Sequence, residues 1–282
     1  MSQTKTDKAW EILFDRYNII HNVKQNGFFE IKASEIKEVR EPRLMAKFDH
    51  SSNLPKLFKD NGLSILPISR SKYVIGDFDV YEPVMYNQEL KPIQVDFPQD
   101  ITTIDPTNLY SESSALHCAH ITGMIENVIG EQTFQTISGR MSSREFDFNI
   151  RTRQGNDRLI QIKNSQIEID AGYESLNQFM LVEAKNEKVD DFLVRQIYYP
   201  YRLWREKTYK EVRPVFFTYS NDIFSFFVYE FTEPMVYNSL KLIEQKDFII
   251  SHEKLELDDI IELFHTIETV PEPRIPFPQA DD

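Results

Sequence analysis

The sequence of 282 residues predicts an α/β (α+β) protein, in which a mixed sheet is flanked by helices and follows an N-terminal winged-helix domain. Three observations lead to this fold class. The first 80 residues read as helix, strand, two helices and a hairpin, the periodicity switches from helix to strand near residue 130, and later apolar runs alternate with helical segments. A content of 41% apolar residues suffices to bury a sizeable core.

The N-terminal elements follow from spacing and capping residues. Trp10, Leu13 and Phe14 recur at helical spacing, and polar residues over 49–52 precede an apolar run that ends at Asn61-Gly62. A polar turn between two apolar runs predicts a hairpin. The expected elements are a helix over 8–22, a strand over 28–31, a helix over 33–39 opened by Ser34, a helix over 54–61, and hairpin strands over 63–68 and 72–76. This order is typical of a winged helix.

The C-terminal elements begin after a proline-rich stretch. Residues 81–110 contain four prolines and little helical periodicity, so they are predicted to link a domain over 1–80 to one over 111–282. The tail after Ser251 is expected to form an acidic helix and then an extended proline-rich arm. The other expected elements are a helix over 111–129, strands over 134–150, 159–163, 166–170 and 179–183, a helix capped by Asp190 or Asp191 that runs through Trp204, and a hairpin of strands 212–219 and 223–231.

Charge and composition restrict the classes of function. The net charge of −13 argues against nucleic-acid binding over the whole surface, but residues 1–80 carry 13 basic against 11 acidic side chains. Phosphate contacts are therefore expected to concentrate in local basic patches. No run approaches 18 apolar residues and no apolar signal core follows the N-terminus, so no membrane partner is expected. The single cysteine, Cys118, fits a cytoplasmic protein.

Charged residues stand at the ends of two neighbouring apolar strands predicted from the sequence. Asp170 ends the first, and Glu183 and Lys185 end the second, two residues apart and thus on one face of the strand. Two converging carboxylates can hold a hard divalent cation, typically Mg²⁺. An ammonium group beside them can orient an attacking water and offset phosphate charge. The pattern therefore predicts metal-dependent phosphodiester hydrolysis.

The arrangement Asp170…Glu183-Ala184-Lys185 resembles the catalytic signature of the PD-(D/E)XK nuclease superfamily. The stretches 47–55, 165–170 and 196–202 are similar to a group of type II restriction endonucleases with an N-terminal winged helix, so the resemblance covers nearly the whole chain. One departure is that isoleucine, not proline, precedes Asp170.

This resemblance implies a restriction-endonuclease-like catalytic domain and a Mg²⁺ cofactor. Asp170 and Glu183 would be metal ligands, Lys185 the catalytic lysine, and Glu112 an accessory acid on the preceding helix. Gln196 is similar to a helix glutamine of the exonuclease-like branch. The implied substrate is double-stranded DNA, and the implied partners are a second copy of the chain, in a homodimer, and a cognate methyltransferase.

Candidate DNA contacts lie in three places along the chain. Residues near the start of the third predicted helix suit base edges, the turn of the first hairpin suits phosphates, and a basic stretch after residue 139 could line the cleft. The residues are Arg43, Lys47, His50, Ser51, Ser52 and Asn53 for the helix, Arg70 and Lys72 for the hairpin, and Arg140 and Arg144 for the third stretch.

Two alternatives stay open on the sequence alone. The chain could be a winged-helix regulator whose C-terminal domain only dimerises or senses a ligand, or a nuclease of the same superfamily that acts on modified or damaged nucleic acid. His117 and His120 share a helical face, but no second Cys or His pair follows to complete a zinc site. The sequence also lacks a P-loop and a dinucleotide-binding glycine motif.

Overall fold

The computed structural model describes residues 3–251. The acidic helix and proline-rich arm expected after Ser251 lie outside the described residues. None of the helices between residues 3 and 251 combines the length and the apolar composition that a membrane span requires.

The N-terminal region builds a small antiparallel sheet against short helices. Its strands lie in the order β1-β3-β2. Trp10, Phe14 and Phe58 form the centre of its core, with edge-to-face rings 4.8–6.0 Å apart. The elements are α1 (Lys5–Tyr17), α2 (Ile19–Asn26), β1 (Phe28–Lys32), α3 (Ala33–Lys37), α4 (Pro42–Ala46), a 3₁₀ turn (Ser51–Asn53), α5 (Lys56–Asp60), β2 (Ser64–Pro67) and β3 (Lys72–Gly76).

Three helix predictions here need correction. The single helix over 8–22 is wrong, because Asn18 adopts a left-handed conformation (φ 47°) and separates α1 from α2. Ser34 does not open α3, whose N-cap is Lys32. The polar residues 49–52 do not cap α5 either, because Ser51 and Ser52 belong to the 3₁₀ turn and Pro55 occupies the N-cap position. The predicted winged helix itself stays a prediction.

The C-terminal region contains a seven-stranded mixed sheet in the order β5-β14-β13-β12-β10-β9-β6. β10 pairs with β12 in parallel and β14 with β5 in parallel, while the other pairs are antiparallel. The elements are β4 (Tyr81–Pro83), β5 (Ile93–Val95), α6 (Glu112–Ile121), α7 (Met124–Ile129), β6 (Phe134–Ser142), β7 (Glu145–Arg151), β8 (Asp157–Lys163), β9 (Gln166–Glu174), β10 (Gln178–Lys185), β11 (Asp191–Leu193), α8 (Arg195–Lys207), β12 (Glu211–Ser220), β13 (Ile223–Phe231) and β14 (Leu240–Ile250).

Both faces of this sheet are covered. Phe179 and Leu181 of β10 pack in one cluster with α8 and the β7–β8 hairpin, whereas Met180 and Val182 pack in another with α6 and α7. A strand buried on both faces reads as a continuous apolar run, which explains why β10 lacks polar alternation. The predicted α/β (α+β) class, with a mixed sheet flanked by helices, is confirmed.

Four predicted C-terminal elements need correction. The strand over 166–170 does not end at Asp170, because β9 continues to Glu174 and Asp170 lies in its middle. Gly123 (φ 75°) divides the helix over 111–129 into α6 and α7, and a turn at Arg144 (φ 61°) divides the strand over 134–150. Asp190 and Asp191 do not cap α8, because β11 lies between them and the helix.

Two strands lie inside the predicted linker over 81–110. β4 pairs with β11 and β5 with β14, and the described residues up to Ile250 form one compact unit. The division into domains over 1–80 and 111–282 stays a prediction.

Candidate active site

β9 and β10 stop pairing where the candidate catalytic residues begin. The antiparallel register pairs Val182 with Ala171, and one further step places Glu183 opposite Asp170. There the Asp170 carboxylate accepts a hydrogen bond of 2.8 Å from the backbone N–H of Ala184. The Asp170 side chain thus accepts a backbone N–H that no longer takes part in β9–β10 pairing, and this bond fixes the orientation of the carboxylate.

Glu183 lies at the centre of a hydrogen-bonded cluster. Glu183 is 6% exposed, and one carboxylate oxygen, Oε1, accepts hydrogen bonds from both Lys185 Nζ and Gln196 Nε2. Lys185 Nζ also donates to the carbonyl oxygen of Ala184 at 3.0 Å. Because Gln196 lies in the first turn of α8, the packing of this helix on β10 brings its amide to the carboxylate.

Burial controls the protonation of the acids. It raises the pKa of Glu183 to about 7, although the nearby Lys185 ammonium acts in the opposite direction. It also raises the pKa of Asp170, against the effect of the Ala184 N–H, and that of Glu112. Burial alone would lower the pKa of Lys185, but the ion pair with Glu183 and the charges of Asp170 and Glu112 raise it overall. Lys185 is therefore an ammonium ion at neutral pH.

A polar cleft with a cavity volume of about 390 Å³ opens beside this cluster. It brings together eight residues that the sequence predicts for the site or for DNA contact. These are Glu112, Asp170, Glu183 and Lys185 of the predicted catalytic set, and Lys47, His50, Asn53 and Arg140 of the predicted DNA-binding set. Glu168 and Gln196 line it as well.

The other candidate DNA contacts lie outside this cleft. Arg43 is exposed on α4, and Arg70 is exposed in the turn between β2 and β3. The charge of Lys72 is already paired, because its Nζ lies 2.6 Å from a carboxylate oxygen of Glu30. Arg144 is exposed in the turn between β6 and β7. The remaining pair, Ser51 and Ser52, lines a separate pocket together with Arg153.

Two residues that line the cleft were not predicted as site residues from the sequence. Within residues 3–251, Asp49 Oδ1 and Arg195 Nε are buried without a hydrogen-bond partner. The Arg195 guanidinium lies 5.6 Å from the centre of the Tyr199 ring. No local pattern marks either residue, because Asp49 enters the cleft only through the docking of its segment on β11, and Arg195 through the start of α8 after β11.

The donor set suits a hard cation that retains water. In the part of the chain that the structure describes, no group of three or more His, Cys, Asp or Glu side chains is arranged to hold a metal ion. Mg²⁺ is usually held by one or two carboxylates, with water and substrate phosphate as the other ligands. Asp170 and Glu183 match that requirement, and a cation would supply the positive charge that these buried carboxyls need in order to ionise.

Comparisons with known proteins give two family matches. A family model described as Domain of unknown function (DUF6997) matches residues 76–249, and one described as Domain of unknown function (DUF6996) matches residues 7–75. The boundary between the two matches falls at the end of β3. No curated protein and no solved structure matches the chain.

Proposed function

We propose that this chain, which belongs to the family of the domain of unknown function DUF6997, is a Mg²⁺-dependent endonuclease that hydrolyses phosphodiester bonds of double-stranded DNA. The substrate is a defined DNA sequence, as in type II restriction. The observation that carries the proposal is the juxtaposition of Glu183, Lys185 and Asp170 at the point where β9 and β10 separate, inside a polar cleft.

The chemistry requires a cation, an attacking water and a bound phosphate; the cation would lower the pKa of a bound water, so that its proton is lost to solvent without a protein base. Mg²⁺ held by Asp170 and Glu183 would act as a Lewis acid that stabilises the charge developing on the phosphate. Gln196 holds the Glu183 carboxylate in one orientation, and Asp170 is held by the Ala184 N–H. Lys185 places an ammonium group beside both acids, where it positions the attacking water and offsets phosphate charge.

The cleft also carries cations for the DNA backbone. Lys47 and Arg195 line it, and Arg140 lies there in an ion pair of 3.0 Å with Glu168. Phosphate contacts supply much of the affinity of a protein for DNA, and a molecule with a net charge of −13 has to make them in a few such places. Cleavage of both strands at one site is achieved most simply by two active sites on opposite strands, which a two-fold homodimer on DNA supplies.

Cleavage of intact bacterial genomic DNA provides a test that does not depend on knowing the recognition sequence. We expect the full chain to cut it with Mg²⁺ and not with EDTA, and the sequenced ends to share a motif. Glu183→Gln should abolish cutting, whereas the control Glu187→Gln, at an exposed residue of the same cleft, should retain it. The absence of new ends with both Mg²⁺ and Mn²⁺ would contradict the proposal and favour a DNA-binding regulator.

A further inference from the structure

A second polar pocket lies where the two family matches meet. Side chains from segments 20–27, 61–63 and 152–158, together with Asp77, line a cavity of about 150 Å³, here called the junction pocket. The first two segments belong to the DUF6996 match, and the other residues belong to the DUF6997 match. Over residues 3–251, the junction pocket shares no lining residue with the candidate catalytic cleft, so it is a separate cavity.

The turn between β7 and β8 forms one side of the junction pocket and is held by its own hydrogen bonds. The backbone N–H of Thr152 donates to the carbonyl oxygen of Asn156 at 2.8 Å, and the N–H of Asn156 donates to Thr152 Oγ1 at 3.1 Å. The turn is also fixed to a neighbouring segment, because the N–H of Arg153 donates to the carbonyl oxygen of Asp77 at 3.0 Å. The backbone of Asp77 makes this contact, so its carboxylate is not used to hold the turn.

On the other side of the junction pocket, the Arg158 guanidinium packs directly on the backbone of Gly27. A Cβ atom at position 27 would lie 2.4 Å from Arg158 Nε and 2.6 Å from Cζ, so only glycine leaves room for the guanidinium. Gly27 is the C-cap of α2, where the partial negative charge of the helix end favours a cation. Within residues 3–251, however, Arg158 Nε is buried without a hydrogen-bond partner. The helix end therefore does not satisfy the guanidinium.

Charges of both signs line the junction pocket without pairing. None of the ion pairs formed among the described residues includes Lys24, Asp77 or Arg158. Lys24 is exposed, whereas Asp77 and Arg158 are half-buried, so water compensates the latter two charges only in part. Asp77 and Arg158 thus line one small cavity and do not neutralise each other. A bound molecule that neutralises both needs an anionic and a cationic group.

The remaining surface of the junction pocket is aliphatic at its base and carries amides at its rim. Val23 and Leu63 are buried and Ile20 is half-buried, while Gln154 and Asn156 are exposed. In the part of the chain that the structure describes, no aromatic side chain lines this pocket, so it offers no ring on which a nucleobase could stack. A cavity of this size holds a molecule about as large as benzene. The occupant is therefore small and partly aliphatic.

We infer that the junction pocket binds a free α-amino acid with an aliphatic side chain. The carboxylate of the ligand would lie beside Arg158 and Lys24, and its ammonium group beside Asp77. Its side chain would pack against Val23 and Leu63. A simple anion such as phosphate would leave Asp77 unpaired and repel it, whereas a zwitterion compensates both signs of charge. The inference does not depend on the proposed nuclease activity, because the two cavities are separate.

Thermal melts of the full chain identify the ligand among the standard amino acids. Each amino acid is added alone at about 10 mM, which is tenfold above a dissociation constant of about 1 mM. We expect at least one of alanine, valine, leucine, isoleucine and methionine to raise the melting temperature by a few degrees. The amine and the carboxylic acid that lack, respectively, the carboxylate and the ammonium group of that amino acid should give no shift, because each compensates only one charge.

Calorimetric titration of variants with the same amino acid places the ligand in the junction pocket. Asp77→Asn and Arg158→Gln should each weaken binding by about tenfold or more, since each removes a charge-assisted hydrogen bond. The control is Arg153→Gln, at an exposed residue of the same turn that lines a neighbouring pocket, and it should bind as wild type does. Asp77→Asn keeps the shape of the side chain, so it decides the outcome if Arg158→Gln destabilises the unliganded protein.

Three results would overturn the inference. The first is that no amino acid shifts the melting temperature, and the second is that Asp77→Asn binds the amino acid as tightly as wild type does. The third is an equal or larger shift with the carboxylic acid analogue or with a nucleoside monophosphate, which would make the pocket a site for anions or nucleotides. DNA cleavage enters none of these measurements, so failure of the proposed nuclease activity and failure of this inference are distinguishable.

Discussion

The Asp170 carboxylate accepts the backbone N–H of Ala184 at 2.8 Å, in the gap that opens where β9 and β10 separate. Because Ala184 stands between Glu183 and Lys185, this bond sets the position of Asp170 relative to both side chains. Asp170 therefore has two roles. It accepts a hydrogen bond that holds the local structure, and in the proposed reaction its negative charge binds the cation. Substitutions can separate these two roles.

Asp170→Asn should keep the acceptor and remove the charge. We expect cleavage of DNA to fall at least a hundredfold, because the cation loses one of two carboxylate ligands. The melting temperature should stay within a few degrees of wild type, since the amide oxygen can still accept from Ala184. Single-turnover cleavage and thermal melts measure the two effects, with Asp157→Asn, at an exposed surface acid, as the control. Unchanged cleavage would exclude Asp170 as a ligand.

The raised pKa of Glu183 predicts a pH dependence of stability in the metal-free protein. Burial lifts this pKa from its usual 4.5 to about 7, so the folded state binds more protons than the unfolded state between those values. The contribution of Glu183 to stability is thus complete below pH 4.5 and declines as the pH rises to 7, by up to about 1.4 kcal/mol per pH unit. Urea unfolding in EDTA should show this decline for wild type relative to Glu183→Gln. Parallel pH profiles of the two proteins would contradict it.

Gln196 should act as a positioning residue for Glu183. Its amide donates to the carboxylate and thereby favours the ionised form, so Gln196→Leu should raise the pKa of Glu183 further. A hydrogen bond worth about 1 kcal/mol corresponds to roughly 0.7 pH unit. We expect the acid limb of the pH–rate profile for DNA cleavage to move up by about that amount. The control Gln161→Leu, at an exposed residue of β8, should leave the limb in place, and an unmoved limb in Gln196→Leu would refute the role.

The sequence predicted elements that depend on local pattern. The hairpin of β2 and β3 and that of β12 and β13 lie where turn residues separate two apolar runs. The strands β4, β5, β11 and β14 and the short helix α4 were not predicted. β4, β5 and β11 span three residues each and α4 spans five, which is too short to show a periodic pattern. β14 is mostly polar and exposed or half-buried over its first eight residues, so it also lacks a clear apolar pattern.

The site was only partly accessible to sequence reasoning. Asp170, Glu183 and Lys185 were placed together on the expectation that two strand ends meet, whereas Asp170 lies in the middle of β9 and comes to Glu183 through the antiparallel register of β9 and β10. The positions of Asp49 and Arg195 could not be anticipated. They depend on tertiary contacts between segments more than 140 residues apart, such as the bond between Leu193 and Asp49.

The β2–β3 hairpin offers a comparison of an exposed cation with one that forms an ion pair. Arg70 is exposed, whereas Lys72 forms an ion pair of 2.6 Å with Glu30. If this turn contacts DNA phosphates, Arg70→Gln should weaken binding to all sequences alike and reduce the salt dependence by about one unit of slope. Lys72→Gln should have a smaller effect, because Glu30 already offsets its charge. Fluorescence anisotropy against salt measures both, with Arg213→Gln on β12 as the control. Equal slopes for Arg70→Gln and wild type would place the turn away from DNA.

The central claim is that Lys185, beside Glu183 and Asp170, takes part in cutting DNA. The most direct measurement is single-turnover cleavage by Lys185→Ala, with DNA affinity in Ca²⁺ and the melting temperature measured on the same protein. Lys188→Ala is the matched control, because Lys188 lies over the Tyr86 ring and does not line the cleft. We expect Lys185→Ala to bind DNA within about threefold of wild type and to cut it at least a hundredfold more slowly, since its ammonium acts on the transition state and not on the duplex. Cleavage by Lys185→Ala within a few-fold of wild type would contradict the assignment of this cleft as the nuclease site.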